Sequence, residues 1–202
     1  EAENETEEMS TRDAAEEVLE APIRLNDQRM EAVIEALAAA SAKVIADLGC
    51  GEGKLLGRLA RDKRFTRIIG LDASSRALER AAERLKLSFA GGARTDRVTL
   101  LHGALTYRDQ RWKDADAAVL VEVIEHLEPD RLPALAEVVF GAAHPKAVIV
   151  TTPNAEYNAL FPNLPAGKYR HPDHRFEWTR GEFRAWAAEI EARFGYAAAF
   201  SD

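Results

Sequence analysis

A single cysteine, Cys50, stands in 202 residues, so the chain has no partner for an internal disulfide. No N-terminal stretch pairs a basic head with an apolar core, so nothing in the sequence suggests secretion, and the cytoplasm is the expected compartment. Long apolar runs are missing as well. None approaches the roughly 20 residues a membrane-spanning helix needs, which excludes a helical membrane protein. Excess charge of one sign is also absent from most of the chain. The net charge is −7, but residues 1–20 hold nine acidic side chains against one basic, Arg12, leaving 26 basic and 25 acidic residues in 21–202. A domain so close to neutral offers no long electrostatic track for nucleic acid, although it can hold the end of one through a few local contacts. What is present is a globular balance, 47 % apolar and 30 % charged, in a length that suits one domain with a real core. Residues 1–20 read as an acidic tail or linker without chemistry, because like charges repel and little there can be buried. Residues 21–202 read as the folded domain.

The hydrophobic period alternates along that domain. Met30, Val33, Ile34 and Leu37 recur at helical spacing after the candidate caps Asn26 and Asp27. Lys43 to Leu48 is a short apolar run that stops at glycines, and a helix with Leu55, Leu56 and Leu59 on one face follows. Arg67 to Leu71 predicts a strand, Ser74 to Leu85 a helix capped by Ser74, and Val98 to Leu101 a strand. Ala115 to Val121 and Ala147 to Thr152 predict two more strands, with a helix from about Asp130 to Phe140 between them. Thr179 and Glu182 form a Thr-x-x-Glu capping box that opens a last helix carrying Phe183, Trp186 and Ile190, and Tyr196 to Phe200 closes as a strand. Such alternation implies an α/β fold, a doubly wound and mostly parallel sheet with helices on both faces. The long segment between Pro153 and Trp178 has no clear period and reads as a lid or binding loop.

The first strand runs into Asp47-Leu-Gly-Cys-Gly-Glu-Gly, with glycines at 49, 51 and 53 where strand turns to helix. A dinucleotide fingerprint would need glycine at 54, where Lys54 stands, so the nicotinamide reading is weakened. Asp47 is placed to pair with a ligand ammonium. Asp72, ending the second strand 23 residues after Gly49, is placed to take both hydroxyls of a nucleoside ribose. These residues resemble the first motifs of the class I S-adenosylmethionine-dependent methyltransferases. By that resemblance Asp47, Gly49 and Gly51 hold the methionine end of the cofactor, Asp72 holds its ribose, and His102 to Leu105, with Ala104 and Leu105, lies beside the adenine. The alternative is a glycine turn in another doubly wound fold.

Directly after the fourth strand comes Glu122-Val-Ile-Glu125-His126. A helical turn starting there would bring both carboxylates and the imidazole onto one face at the strand's carboxyl end. Two carboxylates and a histidine suit Mg²⁺ or Mn²⁺ better than structural zinc. A lone general-base or helix-capping histidine is the competing reading. The long loop adds Thr152-Pro-Asn-Ala-Glu-Tyr-Asn158 and His171-Pro-Asp-His-Arg-Phe-Glu-Trp-Thr179, so three of the five histidines, 126, 171 and 174, fall in the Glu-Val-Ile-Glu-His string and this loop. Together the motifs resemble the Hen family of RNA 3′-terminal ribose 2′-O-methyltransferases, over about Leu25 to Tyr196. The resemblance implies catalytic and metal-ligating roles for Glu122, Glu125, His126 and His174. His171 rivals His174, but the family histidine stands directly before the basic-Phe-Glu-Trp string, and His174 matches. Phe176 and Trp178 are expected to anchor the loop in the core. Lys168, Arg170 and Arg175 are expected to be ordinary loop cations.

Chemically, a 2′-hydroxyl is a poor nucleophile at neutral pH. A divalent ion chelated by the 2′- and 3′-hydroxyls would orient it and ease loss of its proton, so only an RNA end with both hydroxyls free would react. The resemblance further implies S-adenosylmethionine and Mn²⁺ or Mg²⁺ as cofactors and the 3′ end of RNA, such as tRNA fragments or small RNA, as partner. It also implies a bacterial RNA-repair setting, with a polynucleotide kinase-phosphatase and ligase reached through an N-terminal half this chain lacks. The chain therefore reads as an isolated C-terminal methyltransferase domain whose acidic head is the remnant of a linker. The family's final antiparallel strand is expected to be missing, since the sequence stops at Asp202. Two alternatives stand beside this reading: a metal-dependent O-methyltransferase of a catechol- or quinol-type small molecule, and a non-catalytic module that binds RNA ends.

Overall fold

Apolar residues on successive positions of a strand point to opposite faces, and here both faces are covered, so each strand reads as a continuous apolar run. The computed structural model describes residues 25–87, 97–161, 164–165 and 167–201. The expected acidic tail over residues 1–20 lies outside the described residues. Five strands form one sheet: β1 (Val44–Leu48), β2 (Arg67–Asp72), β3 (Val98–His102), β4 (Ala117–Val121) and β5 (Ala147–Thr151). Their order is β3-β2-β1-β4-β5, and all four pairings are parallel. Asp47 on β1 lies level with Gly70 on β2 and Val119 on β4, so the carboxyl ends of the strands share one edge of the sheet.

Helices cover the two faces. On one, Ile45, Ile68, Ala117 and Val119 pack against α1 (Leu25–Ala39), α2 (Lys54–Leu59) and α3 (Ser75–Leu85) through Val33, Leu37, Leu56, Leu59 and Ala82. On the other, Ala46, Leu48, Ile69, Leu71 and Leu120 pack against α4 (Leu132–Ala136), the π-helical turn Glu137–Ala143 and α5 (Arg180–Phe194). Ser74 caps α3 by accepting from the Ala77 amide at 3.2 Å. The Thr179–Glu182 capping box opens α5, as expected. No helix among the described residues is long and apolar enough to cross a membrane.

Three expectations are corrected. The helix expected over Asp130 to Phe140 is broken into a 3₁₀ turn at Pro129–Arg131, α4, and the π-helical turn. Pro129 and Pro133 have no amide hydrogen to donate, and each sits at the start of a new turn. Asn26 and Asp27 fall inside the first turn of α1 rather than capping it. Tyr196 to Phe200 is not a strand. Gly195, left-handed at φ 75°, ends α5 and turns the chain back along the helix, where the Ala198 amide donates to Glu191 at 2.6 Å and the Tyr196 hydroxyl to the Pro145 carbonyl at 2.6 Å. Phe200 then rests edge-on against Phe183, so the Ala198 amide and the Phe200 ring are spent on the helix instead of on a ladder with β5.

Candidate active site

At the carboxyl end of β1 the backbone turns through Gly49, at φ +79°, and Gly51, at φ +50°. A Cβ at Gly49 would lie 2.7 Å from the Val123 side chain, so turn and packing both require glycine, whereas a Cβ on Gly51 would meet nothing within 4 Å. Gly51 thus presents bare backbone to open space. Asp47 is 2 % exposed, and its buried Oδ2 has no hydrogen-bond partner among the described residues. Burial, reinforced by the charge of Asp72, pushes the Asp47 carboxyl up to about 7. Asp72 accepts from the Gly51 amide (2.8 Å, Oδ2) and the Ser74 amide (2.8 Å, Oδ1), tying the two loops together. Each carboxylate oxygen has a second lone pair for a ligand hydroxyl. His102 pairs with Asp72 across β3 and β2, and the Gly103 amide donates to the Asp72 carbonyl, so exposed Ala104 and half-buried Leu105 follow directly beside the acid. Burial and the two aspartates push the Cys50 thiol far up, which keeps it protonated and unreactive.

The second cluster lies where β4 ends. No helical turn starts at Glu122, contrary to expectation: Glu122 is left-handed at φ +53°, and the 3₁₀ turn begins at Ile124. This strained conformation is held by β5, since the Glu122 amide donates to the Thr151 carbonyl and hydroxyl, and the Thr151 hydroxyl donates to Glu122 Oε1 at 2.9 Å. Arg29 of α1 pairs with Glu122 Oε2 at 3.0 Å. Glu125 is wholly buried; Thr152 donates to its Oε2 at 3.0 Å, while Oε1 has no hydrogen-bond partner among the described residues. Burial first, and the adjacent Glu122 charge second, raise the Glu125 carboxyl well above the ordinary range, against smaller opposing effects from Thr152 and Arg29. A cation would relieve both costs.

The long loop closes on this turn. The Arg175 amide donates to the Glu125 carbonyl at 2.7 Å, Asn154 bridges to Trp178, and Phe176 and Trp178 stack 4.3 Å apart on the α5 side of the core. The aromatic pair therefore anchors the loop, as expected. Among the described residues, His126, His171 and His174 form the group whose potential ligand atoms all lie within 4.8 Å of one another; Glu122 and Glu125 are not in that group. His126 is exposed, His171 and His174 are buried, and the rings of His126 and His174 meet edge to face at 4.8 Å. His171 thus sits with His174 rather than away from it. Sequence reasoning did not single out Arg29 or Glu177. Glu177 accepts from His174 Nδ1 at 2.7 Å, and its position three residues after His174 was the visible signal. Arg170, expected to be an ordinary loop cation, is buried, with its guanidinium 4.7 Å over Phe161.

A parallel sheet with an acidic glycine crevice at the switch point and an acid-histidine cluster beside it defines a class, and the family description "Methyltransferase domain" matches residues 46–149. Within that class, the crystal structure of the methyltransferase domain of bacterial CtHen1 is 46 % identical, with a TM-score of 0.75, over 86 % of this chain and 87 % of that one. The Small RNA 2′-O-methyltransferase of Arabidopsis thaliana is 36 % identical over 88 % of this chain. The chain spans a fifth of that relative's length. A chain in the structure of the Pnkp1/Rnl/Hen1 RNA repair complex, 24 % identical with a TM-score of 0.57, shares the fold over 83 % of this chain and 35 % of its own. The protein belongs to the Hen family of methyltransferase domains.

Proposed function

We propose that this domain transfers the methyl group of S-adenosylmethionine to the 2′-hydroxyl of the 3′-terminal ribose of RNA, with Glu122, Glu125, His126 and His174 holding Mn²⁺ or Mg²⁺. The observation that carries the reading is Glu125: a wholly buried carboxyl with one oxygen that has no hydrogen-bond partner among the described residues, raised by burial and by a second carboxylate, and joined through its carbonyl to the loop that bears His174. Two carboxylates and two imidazoles fit a hard or borderline divalent ion and leave room for further oxygen ligands. Such an ion, when bound, supplies a template and Lewis acid for vicinal hydroxyls.

The chain's own groups account for the rest. Asp47 meets the ammonium of the cofactor's methionine end, Gly51 lets it approach the backbone, and Asp72 takes the ribose hydroxyls, with Ala104 and Leu105 against the adenine. The methyl carbon leaves the sulfonium sulfur, which keeps the bonding pair as a neutral thioether, as it bonds to the 2′-oxygen, whose proton passes to solvent water. That β1 and β4, which lead into the two clusters, are parallel neighbours ending at one edge of the sheet supports this reading. In the cell we place the domain in the cytoplasm, in bacterial RNA repair beside a kinase-phosphatase and ligase. The family membership and the fold shared with a chain of a repair complex support that setting.

The test is transfer of labelled methyl to a short RNA, with and without Mn²⁺, comparing ends with both hydroxyls, 2′-deoxy ends and 3′-deoxy ends. Metal-dependent labelling only where both hydroxyls are present is the expected result. Full labelling of the 3′-deoxy end removes the chelate, and no labelling of any RNA with cofactor still bound moves the acceptor to a catechol-like small molecule or the domain to a binding role. Glu122→Ala, His126→Ala and His174→Ala are expected to abolish transfer with cofactor affinity nearly unchanged, and Asp72→Ala to weaken cofactor binding first.

A further inference from the structure

We infer that Glu177 is a positioning residue that decides which nitrogen of His174 carries the proton, and thereby makes His174 rather than His171 the loop's metal ligand. This rests on the metal-dependent reading above. The Glu177 side chain is fully buried and surrounded by donors. Its Oε1 accepts from the Arg170 amide at 2.6 Å and lies 2.7 Å from His174 Nδ1, and its Oε2 accepts from the Asn158 side-chain amide at 2.6 Å. Both carboxylate oxygens already face N–H donors, Arg170 at Oε1 and Asn158 at Oε2, so Glu177 accepts at the His174 contact as well, the proton there belongs to Nδ1, and Nε2 keeps its lone pair.

His171 has the opposite arrangement. The backbone amide of Asp173 donates to its Nδ1 at 3.1 Å, so the neutral ring carries its proton on Nε2. Two imidazoles three residues apart, both beside His126, thus present different faces: a lone pair at Nε2 of His174 and an N–H at Nε2 of His171. Glu177 cannot swing between them. Arg170 donates to Asn158 Oδ1 at 2.8 Å and to the Asn154 carbonyl at 2.7 Å, which fixes the amide that fixes Glu177. The clamp also gives a physical reason for the spacing of Asn154, Asn158, Arg170, His174 and Glu177 in the loop.

The experiment measures Mn²⁺ affinity by titration followed through the paramagnetic signal of the free ion, in wild type, Glu177→Gln and Asn158→Ala, with S-adenosylmethionine affinity and thermal midpoint recorded alongside. Glu177→Gln is expected to weaken Mn²⁺ binding by about 10- to 100-fold, with cofactor affinity unchanged, because an amide there cannot accept from all three donors. Asn158→Ala, which removes one donor and leaves the carboxylate, is expected to weaken it only a few-fold. Mn²⁺ bound by Glu177→Gln as tightly as by wild type overturns the inference. If Glu177→Gln does not fold, ¹⁵N spectra of the metal-free wild type at alkaline pH decide: a proton on Nδ1 of His174 and on Nε2 of His171 supports it, and a proton on Nε2 of His174 overturns it. Wild type that binds no Mn²⁺ defeats the metal reading itself, while the spectra still report on Glu177.

Discussion

Asp47 is ionisable at a place that favours its neutral form, and with the proposed cofactor ammonium against it this would couple cofactor binding to pH. Its ordinary value of 3.8 is raised to about 7, so between those limits the unfolded chain is ionised there while the native one is not. The stability associated with the protonated native carboxyl is full below about 3.8, declines as pH rises, and is lost above about 7. A cofactor ammonium against Asp47 favours the ionised form, so binding below pH 7 must expel its proton. S-adenosylmethionine affinity is therefore expected to fall as pH drops below about 7, by up to roughly tenfold per unit, with proton release at about pH 6. Calorimetry in buffers of different ionisation enthalpy measures both, and an affinity flat between about pH 5.5 and 8 removes Asp47 from the ammonium site. The two glycines beside it separate stability from binding. Gly49→Ala places a methyl 2.7 Å from Val123 at φ +79° and is expected to cost about 1–3 kcal/mol of unfolding free energy. Gly51→Ala meets no protein atom within 4 Å among the described residues, so only the left-handed backbone, about 1 kcal/mol, counts against its stability, while on the proposed cofactor reading its methyl would block the approach. Equal denaturant midpoints for the two variants would contradict this assignment.

Among the elements, the long loop depends on its two ends. Thr179 accepts from the Glu182 amide while Glu182 accepts from the Thr179 amide and hydroxyl, so the capping box fixes the start of α5 beside the residue, Trp178, that bridges to Asn154. Thr179→Ala is expected to cost about 1 kcal/mol and to speed hydrogen exchange at the Ala155 and Arg175 amides, which donate to Trp178 and Glu125. Unchanged exchange at those amides would show that the loop is held independently of the helix. The box was legible in the sequence because it is local, and β1, β2 and β4 were legible because strands buried on both faces read as apolar runs with glycine or acid at their ends. Asp47 and Asp72 were legible for the same reason. What was illegible is what long-range partners decide. The short apolar run Tyr196 to Phe200 suits a strand, but Glu191 and Phe183 claim it for the helix. Glu122 is bent by Thr151 and paired with Arg29, 29 and 93 positions away, and neither contact leaves a periodic trace.

For the molecule as a whole, the proposed metal site would link folding to the cation through its acid pair. Glu125 beside Glu122 is a charge the native state holds at a cost, so the metal-free domain is destabilised by its own site as pH rises through the raised Glu125 carboxyl. An ion that binds only the native cluster stabilises it by RT ln(1 + [L]/Kd), about 2.7 kcal/mol at a hundredfold excess over Kd. In a domain near 200 residues that corresponds to a thermal midpoint about 5–10 °C higher. Wild type should show this rise with Mn²⁺, and His174→Ala should show little of it. Glu125→Gln separates the two sides of the argument, because it removes the buried charge and a ligand together. Its midpoint without metal should lie above that of wild type at neutral pH, and Mn²⁺ should barely move it. Should Glu125→Gln instead melt below metal-free wild type and still respond fully to Mn²⁺, the buried carboxyl would be a stabilising structural group, and the cation would have to be held by the three histidines without it.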